Sequence, residues 1–325
     1  MHIPDGLLDN TPMAGGAESV ITVAEAEMAA VDQTVYAALD KAEATPAREA
    51  AHYHLATGGH RLRARLALAS GTAWHTPVPH RIAAAAACEL LHNASLIHDD
   101  LSDGDAMRRG HAAVWHRYGS DIALCAGDLL LTSAFQTAAD IDNPAASQAL
   151  VRQLAAHANR VIGGQSLELA ARHDATMPTF VAYARATRDK TAPLIELPLK
   201  VGAIPDRIPS SLALLLRPLA EAIGLAYQIL DDLDDCTDLT RHEKARTLHP
   251  LHAWHHHQPA GRTAVSPADI RSNCHRHVQA ALVRAQRLSA AFPAPLGTEL
   301  RTVIDQLSAK AERHVGAAST RPEEA

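Results

Sequence analysis

The chain has 325 residues, 47 % of them hydrophobic and only 3 % aromatic, with a formal net charge of −6 and a mean hydropathy of −0.10. A net-negative chain lacks the electrostatic footprint of a nucleic-acid binder. No run of about 18 apolar residues is uninterrupted, so no membrane-spanning helix and no stable membrane insertion is expected.

Four scattered cysteines (Cys88, Cys125, Cys236, Cys274) show neither zinc-site spacing nor the density of a disulfide framework. Residues 1–17 contain no basic segment followed by an apolar core, so no signal peptide is expected. A reducing, cytoplasmic address follows from both.

In chain order, residues 1–17 read as a loose tail. Over 18–41, Val20, Ala24, Met28, Val31, Val35 and Leu39 recur at steps of three and four, which predicts a helix. Gly58-Gly59 then interrupts the chain before a basic, apolar run over 60–70. Residues 81–98 are apolar on nearly every face, as in a helix at the centre of a bundle. Further helices are predicted over 119–138, 145–170, 178–188, 191–201, 211–235, 267–290 and 298–315. Strand signals are weak and no long repeat is visible. The expected fold is all-α, a large single-domain helical bundle over 18–318 with a central cavity, followed by a short tail over 319–325. Residues 236–266 read as an irregular connector, in which His255-His256-His257 fit a solvated loop better than a metal site, because adjacent helical positions do not face one way.

Two segments of the form DDxxD dominate the chain, Asp99-Asp100-Leu101-Ser102-Asp103 and Asp231-Asp232-Leu233-Asp234-Asp235, 132 positions apart. Carboxylates this dense repel one another beside apolar sequence, and a hard cation such as Mg²⁺ relieves that cost. Positions i and i+4 share a helix face, so Asp99 and Asp103 can chelate together, as can Asp231 and Asp235, while Asp100 points aside. Arg108-Arg109-Gly110 follows the first motif closely, and arginine forks pair with phosphate oxygens. Together these residues point to a metal-bridged diphosphate.

The stretches HNASLIHDDLSDGDAMRRG and YGSDIALCAGDLLL, with GGHRLR (58–63), GGQSLEL (163–169), KTAPLIE (190–196) and YQILDDLDD (227–235), resemble the trans-isoprenyl diphosphate synthases, or polyprenyl synthetases. The resemblance covers about residues 50–250 in the same order. It implies an isoprenoid-synthase bundle that joins an allylic diphosphate to isopentenyl diphosphate using Mg²⁺. By the same resemblance Asp99, Asp103, Asp231 and Asp235 bind the metal, with Asp100 and Asp232 supporting them. Arg108 faces the allylic diphosphate, and Arg109, Arg63 and His92 face isopentenyl diphosphate. Lys190, Thr191 and Gln228 stabilise the allylic cation and its leaving group. A homodimer is likewise implied.

The chain departs from the family in two places. His60 replaces a lysine that the family uses to bind isopentenyl diphosphate, and a neutral imidazole gives up a full charge there. The segment after Asp235 lacks the family's Gly-Lys pair and leaves Lys244 as the lysine able to cap the allylic diphosphate. Ala94 and Ser95, about a turn before Asp99, are small where relatives that stop at short products carry an aromatic, so a product of C20 or longer is expected. Two other readings stay open on the same scaffold: a class I terpene synthase that dispenses with isopentenyl diphosphate, and a non-catalytic subunit of a heteromeric synthase. Eleven aromatics (3 Phe, 3 Trp, 5 Tyr) leave little to cradle a cyclising cation, and both Asp-rich motifs are retained.

Overall fold

The computed structural model describes residues 16–171, 180–202, 207–235 and 267–319. Lys244, the three consecutive histidines and the rest of 236–266 lie outside the described residues, as does the side chain of Asp235. The described residues form twelve α-helices and one small hairpin: α1 (Gly16–Asp40), α2 (Pro46–Ala56), α3 (Leu62–Ala73), α4 (Val78–Asp103), β1 (Met107–Arg108), β2 (His111–Ala112), α5 (Val114–Tyr118), α6 (Ser120–Ala139), α7 (Pro144–Ala171), α8 (Phe180–Lys190), α9 (Pro193–Val201), α10 (Ser210–Asp235), α11 (Pro267–Ser289) and α12 (Leu296–Ser319).

Helices α2, α3 and α5 and the hairpin were not anticipated as elements. Helix α2 is short and mixed in character, and local chemistry starts it: Thr45 caps the Arg48 N–H at 3.3 Å and Pro46 occupies the first turn. The hairpin β1–β2 has two residues per strand, with Arg108 opposite His111, too short to leave an alternating pattern.

Helix α4 runs the length of the bundle and packs most extensively on α6, with α1, α3 and α9 around it. Its alanines Ala84 to Ala87 are buried, which lets neighbouring helices approach on several sides at once. The core divides into two clusters. One surrounds α4 and α6; the other joins α10, α11 and α12. Helix α9 serves both, turning Leu194 and Leu197 to the first and Ile195 and Leu199 to the second. Helices α6 and α10 are, by length and composition, apolar enough to cross a membrane, a property their broken apolar runs had hidden; each has 44 % of its most apolar window buried within the bundle.

Candidate functional site

Helix α4 continues to Asp103 because Gly104 is the first residue that turns left-handed, at φ 74°, with its N–H returned to the Asp100 carbonyl. All of the first DDxxD is therefore helical, on the last turn. Helix α10 carries the second motif on its last described turn, up to Asp235. The first set of carboxylates thus sits at a helix C-terminus, where the macrodipole disfavours anions and favours cations. Asp99, Asp103, Asp231 and Asp232 line one cavity of about 590 Å³.

Three of the motif carboxyls do different things. Asp99 is nearly enclosed, and burial pushes it up to about 6, with Lys190 opposing the rise and Asp103 adding to it. Asp100 is only 1 % exposed, and its Oδ1 accepts from Arg108 Nε at 2.8 Å and from Arg108 Nη2. So Asp100 turns inward, as its helical position predicts, and its structural partner is the arginine expected to meet the allylic diphosphate. Asp232 accepts from the Tyr183 hydroxyl at 2.6 Å and from Gln228 Nε2 at 2.9 Å. Burial nonetheless raises Asp232 to about 7.

Between the two motifs lies the junction of α8 and α9. Lys190 Nζ reaches Glu168 at 3.1 Å and Asp99 at 3.5 Å, and although burial would lower its pKa, those carboxylates raise it. Thr191 Oγ1 donates to Gln228 Oε1 at 3.1 Å, so Thr191, Gln228, Asp232 and Tyr183 form one hydrogen-bonded chain. Gly164 permits this junction to sit where it does: a Cβ there would stand 2.5 Å from the Lys190 backbone nitrogen. Tyr183 and Glu168 are not among the residues to which the family resemblance gives a role. The available signal for Tyr183 was its spacing, two helical turns before Lys190 on the same face.

The same cavity also carries arginine. Arg63 and His92 line it, and both Arg63 Nε and His92 Nδ1 are buried with no hydrogen-bond partner among the described residues. Burial and the Arg63 charge hold His92 well below its ordinary value, so its ring is neutral. Arg109 lies against the glycine pair, donating to the Gly58 carbonyl. Gly59 stands at φ 142°, a backbone conformation that side-chain-bearing residues rarely adopt, and the Arg109 guanidinium packs over it. His60 is exposed and also lines the cavity. Ser95 faces the cavity as expected, but Ala94 turns into the α4–α6 core, because neighbouring positions on a helix diverge by about 100°.

Among the described residues, no three His, Cys, Asp or Glu side chains converge into a metal cage. That suits Mg²⁺, which is commonly held by one or two carboxylates and completed by substrate phosphates and water. The donors are hard oxygens on two helices, and the crowded acids gain from a cation, so the residues fit the metal. The arginines of the same cavity and the unpartnered buried donors on Arg63 and His92 fit a second anion.

Comparison with known proteins agrees with this geometry. The polyprenyl synthetase family pattern matches residues 45–247, well over half of the chain. The short chain isoprenyl diphosphate synthase of Methanocaldococcus jannaschii is 33 % identical over 186 residues, covering 57 % of this chain and 56 % of that protein. The farnesyl diphosphate synthase of Escherichia coli is 36 % identical over 200 residues, covering 59 % and 66 %. The matched region thus spans less than two thirds of these relatives' length.

The fold is shared more widely than the sequence. A polyprenyl synthase from Caulobacter crescentus, solved with calcium and isoprenyl diphosphate, superposes with a TM-score of 0.72 at 25 % identity, covering 93 % of this chain and 98 % of that one. Geranylgeranyl pyrophosphate synthetase from Pyrococcus horikoshii superposes with a TM-score of 0.74 over 89 % of this chain and 98 % of that one, at 22 % identity. On the extent of the family match, and with both acidic motifs lining one cavity, this chain belongs to the polyprenyl synthetase family.

Proposed function

We propose that the protein is a Mg²⁺-dependent trans-prenyltransferase that condenses an allylic diphosphate with isopentenyl diphosphate to a linear polyprenyl diphosphate. The observation that carries this reading is one cavity lined both by acids of the two motifs and by Arg63, His92 and Arg109. An acceptor site rich in arginine is what a cyclase has no use for, which favours condensation over the terpene-synthase alternative.

Asp99 and Asp103 from α4 and Asp231 with Asp235 from α10 would hold the metal, whose positive charge offsets the charge developing on the departing diphosphate. The chain's own residues do the rest. Arg108, aimed by Asp100, binds the allylic diphosphate, and Lys190 stabilises the leaving group. The Thr191 hydroxyl and Gln228 carbonyl turn their dipoles to the allylic cation in a cavity that excludes water. Arg63, Arg109 and His92 orient isopentenyl diphosphate so that its double bond attacks; the proton then lost goes to the released diphosphate. No protein nucleophile is required. Lys244 caps the allylic diphosphate.

The enzyme works in the cytoplasm as a homodimer, a reading that rests on the family resemblance. Incubating the protein with geranyl or farnesyl diphosphate, with and without isopentenyl diphosphate, and identifying products by mass spectrometry tests the reading. Chain-extended diphosphates formed only with isopentenyl diphosphate are expected; a hydrocarbon formed from the allylic substrate alone would assign the cyclase instead.

Two variants probe particular residues. His60→Lys restores a permanent charge at the acceptor end and should lower KM for isopentenyl diphosphate roughly threefold to tenfold, with KM for the allylic substrate unchanged. An unchanged KM would remove His60 from the acceptor site. The product is C20 or longer because Ser95 leaves the wall of the cavity open. Ser95→Phe should shift the product toward shorter chains by at least one isoprene unit, read by chromatography of the dephosphorylated alcohols; the same chain length in the variant would move the length determinant elsewhere.

A further inference from the structure

Lysine is scarce in this chain, five against twenty-five arginines, and two of the four described lysines sit on the acidic motifs. Lys190, from α8, reaches Asp99 at 3.5 Å. Lys310, from α12, reaches Asp231 at the same 3.5 Å and Asp234 at 2.6 Å. One turn further along α12, His314 Nε2 meets Asp234 at 2.9 Å. Asp234, the acid to which the motif gives no role in the cavity, is thus the anchor for α12. Gln306, one turn before Lys310, lines the cavity, so this face of α12 is a wall of the site.

We infer that Lys310 is the resident counter-cation of the second acidic motif, a positioning residue that holds Asp231 ready and suppresses entry of a divalent cation there until a diphosphate brings further negative charge. This rests on the reading of the cavity as a metal-assisted diphosphate site. The argument is electrostatic. Asp231 is about half exposed and Lys310 about a quarter, so the pair is solvated and can be exchanged rather than locked. An ammonium 3.5 Å from Asp231 repels a divalent ion approaching the same oxygen, and the repulsion scales with the ion's double charge. Once an anionic diphosphate arrives, the added negative charge offsets that repulsion, and Asp234 retains Lys310 beside the motif. Metal binding at the second motif is thereby coupled to substrate.

Binding of Mn²⁺ to the full chain without diphosphate, followed by loss of the free ion's electron paramagnetic resonance signal, tests this. Lys310→Met should bind Mn²⁺ roughly threefold to tenfold tighter than wild type, and Lys310→Arg should remain within about twofold of wild type, because it keeps the charge. Lys310→Gln is read the same way if the methionine variant misfolds. Unchanged affinity in the uncharged variants overturns the inference, and so does an equal gain in Lys310→Arg, which would trace the effect to packing. Titration of geranyl S-thiolodiphosphate into Mn²⁺-loaded wild type separates the two levels. Binding there with no effect of the variants sinks only the role of Lys310; absence of binding removes the diphosphate-site reading and the inference with it.

Discussion

Asp99→Ala should abolish turnover, lowering kcat/KM by about a thousandfold or more while leaving the fold intact. Asp99 is the most enclosed cavity-facing carboxylate of the first motif, held up to about 6 chiefly by burial and 3.5 Å from Lys190. Removing it takes away a proposed metal ligand and leaves the partly buried Lys190 ammonium beside Glu168, at 3.1 Å. Loss of one group that stabilises developing charge in an enclosed site is worth about a hundredfold to a thousandfold in rate, and loss of metal adds to it. Steady-state assay with an allylic diphosphate, isopentenyl diphosphate and Mg²⁺ measures the effect. Circular dichroism should show the same helix content and melting within a few degrees of wild type. Retention of a tenth of the activity would show that the first motif does not hold the metal.

Glu196→Gln should be the most destabilising of the conservative polar changes, by about 2–4 kcal/mol. Glu196 lies on α9, between the two core clusters, and only 1 % of its side chain is exposed. Arg160 Nη1 donates to Oε2 at 2.6 Å, Lys200 pairs with Oε1, and the His157 ring stands 3.9 Å away. Burial alone would raise the carboxyl; these neighbours hold it well below the ordinary carboxylate range. The glutamine keeps the shape but leaves the partly buried Arg160 and Lys200 charges uncompensated.

The sign of the pH dependence follows from that depressed value. The charge on Glu196 contributes fully above the unfolded pKa of about 4.3, and the contribution drains away as pH falls below it. Urea denaturation at pH 7 and again below pH 4 should therefore show a gap between wild type and variant that narrows in acid. A gap that is the same at both pH values would mean that the packing of the side chain, not its charge, is what matters.

Much of the site was legible before any fold was known. The chemistry sits in short, dense motifs, and the helical period alone separates Asp99 from Asp100 and ties Tyr183 to Lys190. The all-α class followed from an alanine-rich composition and sustained steps of three and four. Helix α4 was recognised as central because nearly every face of it is apolar. The precise ends were less accessible: the apolar run over 81–98 with the motif at its end marks no stop, and the helix spans Val78–Asp103 because the left-handed Gly104 sets the limit.

What the chain order could not convey was which side chains meet. Asp100 and Arg108 are eight positions apart across a helix end and a hairpin, and only the turn at Gly104 and the β1–β2 register bring the guanidinium back onto the carboxylate. Ala94 and Ser95 are neighbours in sequence, yet one enters the core and the other the cavity, because α6 covers one face of α4 and leaves the next open. Lys310 lies 79 positions beyond Asp231, past any motif, and reaches it because α12 packs back along α10. Local spacing encodes the residue types and the helix faces they share; long-range packing of the helices decides which charges become partners, and those contacts leave no pattern in a single sequence.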